Sequence, residues 1–337
     1  MPLIKRMKTF ITPSIIFKNH DIKSSKKGAL KELTETADTV ARDDRRIFAV
    51  ETVRKIIQFL CFVLFNAAVF GLAPLSVILP VVHSLGTPQK TIGDAFTILQ
   101  KMLYENLFPW LPLASFVLAA AVLGRSLCGW VCPFGFIQDL LVYIKKRHAK
   151  VSLRTHQSSV NVKYLILAVT LFISGTLAVS LAMGVGESYR RALGVFAPAP
   201  FNALSPSDTL FAILPRIVLE SWYGLVAESL LASPLLWARI FILGIFLLLA
   251  VYVPRSWCRY ACPHGALLAV LNRFSFLGLQ RDPVKCTKDG CRQCVEVCPM
   301  RIRILELPWE KFSDPECIYC LKCAAACPTN AIKPKFP

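Results

Sequence analysis

The sequence predicts a helical membrane bundle of about four transmembrane helices, a pseudo-repeat of two helix pairs, followed by a small cysteine-rich α+β domain. Three observations carry this: four long apolar runs, an eleven-residue motif that occurs twice 130 residues apart, and eight cysteines within residues 286–327. Of the 337 residues, 55% are hydrophobic and 18% charged. Soluble domains sit near 45–50% apolar and about 25% charged, so a wholly soluble chain is excluded. The predicted organisation is a basic, unstructured arm over 1–50, a helical membrane domain over 51–280 and the cysteine-rich domain over 281–337.

Residues 1–45 mix Lys, Ser, Asp and Thr without periodicity and contain no apolar signal region, so the N-terminus is expected to stay in a reducing compartment. There, clustered cysteines hold metal more often than they form disulfides. The apolar runs cover 56–82, 107–124, 164–186 and 231–254, and only the last holds a charge, Arg239. A bilayer core of about 30 Å takes roughly 20 apolar residues as helix, and each run is near that length.

Lysine and arginine set the orientation. Segments 1–55, 145–163 and 255–337 hold 13, 6 and 13 of them, whereas 83–106 and 187–233 hold 2 and 3. The rich segments are therefore expected on the cytoplasmic face of the inner membrane, with both termini. Trp110, Trp222 and Trp237 would mark the outer interface, Trp130 and Trp257 the inner one. Arg125 and Arg239 are expected to snorkel from span ends. The +18 net charge is then a topology signal, with anionic lipid as the partner of the basic run 145–150 and no nucleic acid. Helical spacing of apolar residues over 208–228, interrupted by Pro215, predicts an interfacial helix, and the prolines of 187–207 predict a loop.

The repeated motif reads Arg125-Ser126-Leu127-Cys128-Gly129-Trp130-Val131-Cys132-Pro133-Phe134-Gly135, then Arg255-Ser256-Trp257-Cys258-Arg259-Tyr260-Ala261-Cys262-Pro263-His264-Gly265. Each copy follows an outside-to-inside span, which predicts parallel halves related by a pseudo-two-fold along the membrane normal. On a continuous helix, cysteines four apart share a face. Cys128, Cys132, Cys258 and Cys262 could then hold a third iron–sulfur centre, form a redox-active thiol site beside a quinone, or serve packing alone; the pattern leaves these three open.

The cysteine-rich domain is more specific. Cys317, Cys320, Cys323 and Cys327 form the C-x2-C-x2-C-x3-C-P run of bacterial two-cluster ferredoxins. Cys286, Cys291, Cys294 and Cys298 repeat it with four residues in the first gap. In that arrangement the fourth cysteine of each run crosses to the other cluster. One [4Fe-4S] cluster is expected on Cys286, Cys291, Cys294 and Cys327, the other on Cys317, Cys320, Cys323 and Cys298. Zinc sites usually pair separated C-x2-C arms, which this crowding does not resemble.

Spans that end in C-x3-C-P, followed by a double-cluster tail, resemble the NapH/NosR/MauN-type membrane polyferredoxins over about residues 50–337. The resemblance implies electron transfer from membrane quinol to a partner redox protein, with the ferredoxin domain cytoplasmic. An enzymatic role as a quinol dehydrogenase subunit is one form of this; a redox-dependent assembly or regulatory factor for a respiratory metalloenzyme is the alternative. Other chemistry has little support. None of the five histidines lies mid-span, where haem ligands would be needed, and no nucleotide-binding glycine motif occurs. His83 is expected at the outer interface, His264 near the inner cysteines where it could take up protons, and Cys61 as a packing residue.

Overall fold

The computed structural model describes residues 45–67, 77–83, 92–145, 149, 151–222, 233–287 and 290–336. Arg46–Pro337 forms one compact unit; of the predicted unstructured arm over 1–50, residues 1–44 lie outside the described residues and 45–50 are helical. Helix α1 covers 45–65. A short parallel pair, β1 (Ile78–Leu79) and β2 (Gly93–Asp94), leads into α2 (Ala95–Tyr104) and α3 (Trp110–Leu123). The Asp94 carboxylate caps α2 by accepting from the amides of Phe96 and Thr97. Two short helices, α4 (Ser126–Trp130) and α5 (Pro133–Leu141), carry the first motif, and α6 (Leu153–Ala182) begins the second half.

After α6 come α7 (Glu187–Leu193), α8 (Pro206–Asp208), a π-helical turn over Thr209–Ile213, and α9 (Leu214–Trp222). Helix α10 (Pro234–Tyr252) then leads to α11 (Ser256–Tyr260) and α12 (Pro263–Leu271), which carry the second motif. The terminal domain joins β3 (Gly278–Arg281), α13 (Gln293–Glu296), β4 (Lys311–Phe312), α14 (Lys322–Ala325) and β5 (Ile332–Lys335). Its sheet is antiparallel with order β4-β3-β5, and Leu279 stands opposite both Phe312 and Pro334.

Among the described residues, two of the four expected spans are helices long and apolar enough to cross a membrane, α6 and α10. Their apolar side chains face outward: Leu165, Phe172 and Val179 on α6, Trp237, Phe241 and Leu248 on α10 are exposed. The run 56–82 is not one helix: α1 ends at 65, and β1 follows within the run. Helix α3 has 14 residues, about 21 Å at 1.5 Å per residue, short of a bilayer core. The expected loop over 187–207 contains α7 and two 3-10 turns, because Ala197, Ala203 and the partly buried Phe201 have a core to pack into. The interfacial helix predicted from 208 is helical to Trp222, with Phe211 buried and Val218 exposed; 223–232 lie outside the described residues.

The segments assigned to the far face fold back onto the motifs. Phe201 lies 6.0 Å from Trp257 by ring centroid, Phe211 lies 6.3 Å from Phe134, and His83 lies 5.1 Å from Phe211. His83 and Trp257 are therefore buried at 1% and 3% exposure, not interfacial, because aromatic surface gains more from this cluster than from a polar boundary. Trp110 and Trp237 are exposed; the Trp222 side chain lies outside the described set. Cys61 packs beside Phe65, Val81 and Leu127.

Candidate cysteine centres

In both motifs proline decides the local geometry. Pro133 and Pro263 occupy the first turn of α5 and α12, where a missing N–H costs nothing, and hold the preceding residue extended. Cys132 (φ −62°, ψ 121°) and Cys262 (φ −77°, ψ 113°) thus become the N-caps of α5 and α12. Cys128 and Cys258 sit inside α4 and α11. The expected single helix face is replaced by a helix–break–helix. It is the same in both copies: the amides of Cys132 and Cys262 donate to the carbonyls of Leu127 and Trp257 at 2.9 and 3.0 Å.

The two motifs are brought together and bonded reciprocally. Arg125 Nη2 donates to the Cys258 carbonyl at 2.9 Å, and Arg255 Nη1 donates to the Cys128 carbonyl at 2.7 Å. Each arginine also crosses beside the glycine that ends the opposite motif. A Cβ on Gly265 would lie 2.8 Å from Arg125 Nη2, and one on Gly135 would lie 3.7 Å from Arg255 Nη2. Both guanidinium groups are fully buried. Arg125 does not snorkel, because it is held by carbonyls and a carboxylate inside. Arg239 is bound too, to the Ala203 carbonyl at 2.6 Å and to Asp208.

Cys128, Cys132, Cys258 and Cys262 are 2–6% exposed and lie within electrostatic reach of one another. Burial, with the neighbouring thiols, pushes Cys132 and Cys262 well above the ordinary thiol range. The Gly265 amide donates to Cys262 Sγ at 3.4 Å, and Gln138 Nε2 to Cys258 Sγ at 3.2 Å. His264 is held beside this group, with Nε2 2.7 Å from Asp94 Oδ1, between the rings of Phe96 and Phe116.

Each motif arginine also meets one carboxylate. Arg255 Nε donates to Asp139 at 2.8 Å, and Arg54 and Gln58 of α1 reach the same carboxylate at 3.1 and 3.2 Å. Arg125 Nη1 donates to Glu316 at 2.7 Å, with Lys163 and the Tyr164 hydroxyl on the same side chain. Although burial pushes Glu316 up, Arg125 and Lys163 hold it down at about 2. Asp139 belongs to α5, whereas Glu316 belongs to the terminal domain. In the repeat, position 139 corresponds to Ala269, so the second half lacks its own carboxylate and the tail supplies one.

Two pockets of the terminal domain are lined by cysteines. About 390 Å3 of space not filled by atoms is lined by Cys298, Cys317, Cys320 and Cys323, with Leu279, Ile304 and Phe312. A second space of about 370 Å3 is lined by Cys286, Cys291, Cys294 and Cys327. The fourth cysteine of each run thus faces the other run's pocket. Among the described residues no acidic side chain lines either pocket. Backbone N–H groups turn toward sulfur: those of Ile302, Met300 and Arg301 reach Cys298, and Ala331 donates to Cys327 Sγ at 3.2 Å. Left-handed Arg301, Tyr319, Leu321 and Asn330 make these turns, a backbone form that gathers donors about an anion. Burial, with Cys320, pushes the Cys298 thiol up to about 11. Among the described residues no three Cys, His, Asp or Glu side chains close on the point a single metal ion needs. The thiols instead surround spaces, as the corners of a cubane do. The donor set fits [4Fe-4S] clusters.

Sequence reasoning identified all twelve of these cysteines but missed Asp139, Gln138 and Glu316. The repeat carried a usable signal: two arginines at matched positions and one matching carboxylate leave a second carboxylate to be found.

Comparison with known families agrees with this geometry. A family described as "4Fe-4S binding domain" matches twice, at 107–152 and 235–278, once on each motif. A "4Fe-4S dicluster domain" matches 278–329. An uncharacterized protein of Methanocaldococcus jannaschii is 29% identical over 64% of the chain and 66% of its own length. The methylamine utilization ferredoxin-type protein MauN of Methylobacillus flagellatus is 27% identical over 62% of this chain and 61% of its own length. The ferredoxin-type protein NapH of Escherichia coli is 25% identical over 63% and 62%. The chain thus spans about two thirds of these relatives or less, and no solved structure matches. With the dicluster tail, the doubled 4Fe-4S motif and relatives of these names, the chain is a 4Fe-4S ferredoxin-type protein of the NapH/NosR/MauN group.

Proposed function

We propose that the protein is a membrane-bound electron conduit that passes electrons from a membrane quinol to a partner redox protein on the cytoplasmic side. The observation that carries this is the pair of four-cysteine pockets in a domain fastened, through Glu316, onto a buried group of four more cysteines. Cys286, Cys291, Cys294 and Cys327 would hold one [4Fe-4S] cluster, and Cys298, Cys317, Cys320 and Cys323 the other. When bound, the clusters supply one-electron chemistry. The chain's own part is to exclude water, donate N–H groups to sulfur and fix the distances between centres.

Cys128, Cys132, Cys258 and Cys262 form the inner redox site, as a third iron–sulfur centre or as a thiol site beside quinone. The buried surplus of arginine and lysine around them would offset the negative charge of ligating thiolates. The outward apolar faces of α6 and α10 support a lipid setting, and the distribution of Lys and Arg supports cytoplasmic termini. A second reading, a redox-dependent assembly or regulatory factor, is favoured by one relative's name, the "Regulatory protein NosR" of Stutzerimonas stutzeri, 26% identical over 61% of this chain but 24% of its own. Anaerobically purified protein in detergent, mixed with a short-chain quinol, distinguishes them. A conduit shows reduced-cluster EPR signals within seconds; reduction by dithionite alone favours the regulatory reading.

A further inference from the structure

The two faces of the inner cysteine site are not equivalent toward the tail. Gly129 and Trp130 lie between Cys128 and Cys132, and Ile318 and Tyr319 lie between Cys317 and Cys320. These two turns are pressed together. Trp130 Nε1 donates to the Tyr319 carbonyl at 2.9 Å, and a Cβ on Gly129 would fall inside the van der Waals surface of the Ile318 carbonyl oxygen. Only glycine permits that approach. Nearby, the Arg125 guanidinium bonds the Pro315 carbonyl at 3.1 Å, and the Asn272 amide bonds the Asp314 carbonyl at 2.6 Å. The contact is therefore braced on the chain leading into Cys317. Arg255 and Arg259 lie within electrostatic reach of Cys320 and Cys298, cysteines of that same pocket. The other pocket adjoins it through packed helices α13 and α14, which bear Cys294 and Cys323. On the far side Cys286 and Cys291 are partly exposed, next to the exposed Val284 and Lys285.

Building on the conduit proposed above, we infer that the Gly129–Trp130/Ile318–Tyr319 contact is the electron crossing from the inner cysteine site to the pocket of Cys298, Cys317, Cys320 and Cys323. That pocket is the entry, and the pocket of Cys286, Cys291, Cys294 and Cys327 is the exit. The path from Cys128 or Cys132 to Cys320 then runs through covalent bonds and one hydrogen bond. The step is a single-electron transfer: the inner site is oxidised by one electron and iron in the entry pocket is reduced by one. No bond is made or broken and no proton crosses. A hydroquinone supplies the electrons, becoming quinone over two such transfers and releasing its two protons on the membrane side of the contact. Gly129 and Trp130 are positioning residues.

The test uses the full chain, purified anaerobically, as wild type, Gly129→Ala and Trp130→Phe. A short-chain hydroquinone is mixed rapidly with each, and the EPR signals of the two pockets are followed by freeze-quench. Amide hydrogen exchange over 317–323 and iron content are measured on the same samples. In wild type the signal assigned to the Cys317 pocket rises first. In Gly129→Ala its rate falls roughly tenfold or more, exchange at 317–323 rises, and dithionite still reduces both clusters at unchanged iron content. Trp130→Phe keeps the packing but removes the N–H donor, and slows the same step with little change in exchange. Wild type that stays oxidised overturns the conduit itself and this inference with it. Wild type that is reduced while both variants keep pace, or in which the Cys286 pocket is reduced first, overturns the crossing alone.

Discussion

Glu316→Gln is the perturbation whose magnitude follows most directly from the structure. The Arg125 and Lys163 side chains are fully buried, and the Glu316 side chain between them is 17% exposed. Glutamine keeps the volume and one acceptor oxygen for Arg125 or Tyr164, but leaves two buried cations without their carboxylate. Breaking a buried pair by removing one partner costs about 3–5 kcal/mol. Partial solvent access to Glu316 places the expected loss at the lower end, about 3 kcal/mol, or roughly 150-fold in an equilibrium. Because the carboxylate belongs to the tail and the cations to the helical part, the loss falls on docking between them. Amide hydrogen exchange over 314–321 reads it directly, and protection should fall roughly 100-fold. Lys163→Met in the Glu316→Gln background removes one of the two stranded charges and should recover part of the protection. A change within about 0.5 kcal/mol, or no recovery in the double variant, would refute the electrostatic reasoning.

Three further outcomes are expected. Cys298→Ala should remove iron and the EPR signal from the Cys317 pocket while leaving the other, and Cys327→Ala should do the reverse; iron analysis with EPR on both variants checks the crossed ligation. Arg255→Lys keeps the charge but loses the two-sided reach to Asp139 and the Cys128 carbonyl, so thermal denaturation should show destabilisation of about 1.5–3 kcal/mol, as for hydrogen bonds to charged groups. Gly124→Ala must hold φ at 58° and bring a Cβ 2.9 Å from Tyr319 Cε2 and against Asn272. It should cost at least about 1–2 kcal/mol for the left-handed backbone alone, read as a lowered denaturation midpoint.

The tail was legible because its spacing is set by ligand geometry: the crossing of Cys298 and Cys327 could be stated from sequence, and those side chains face the opposite pockets. The repeat was legible for a similar reason, since Arg, both Cys, Pro and Gly recur at matched positions. What sequence did not reveal depends on contacts distant along the chain. Hydropathy counts Arg125 as a span-end charge, yet its place is fixed by Cys258 and Glu316, 133 and 191 residues away. Likewise 78–83, 92–94 and 194–213 carry no signal that they fold back onto the motifs. Their aromatic residues find partners only once both halves are assembled. Proline at 133 and 263 could have corrected the helical placement of the paired cysteines, since the residue before proline avoids helix.

We propose that the terminal domain holds two cubane clusters on the cysteines that line its two pockets. Mössbauer spectroscopy of iron-57-enriched, anaerobically purified protein, with acid-labile sulfide measured on the same sample, tests it most directly. The expected result is [4Fe-4S] spectra with iron and sulfide in equal amounts, sufficient for both pockets, and a loss of one cluster's share in Cys298→Ala. Zinc in place of iron, iron without labile sulfide, or a Cys298→Ala variant that keeps its full complement would contradict it.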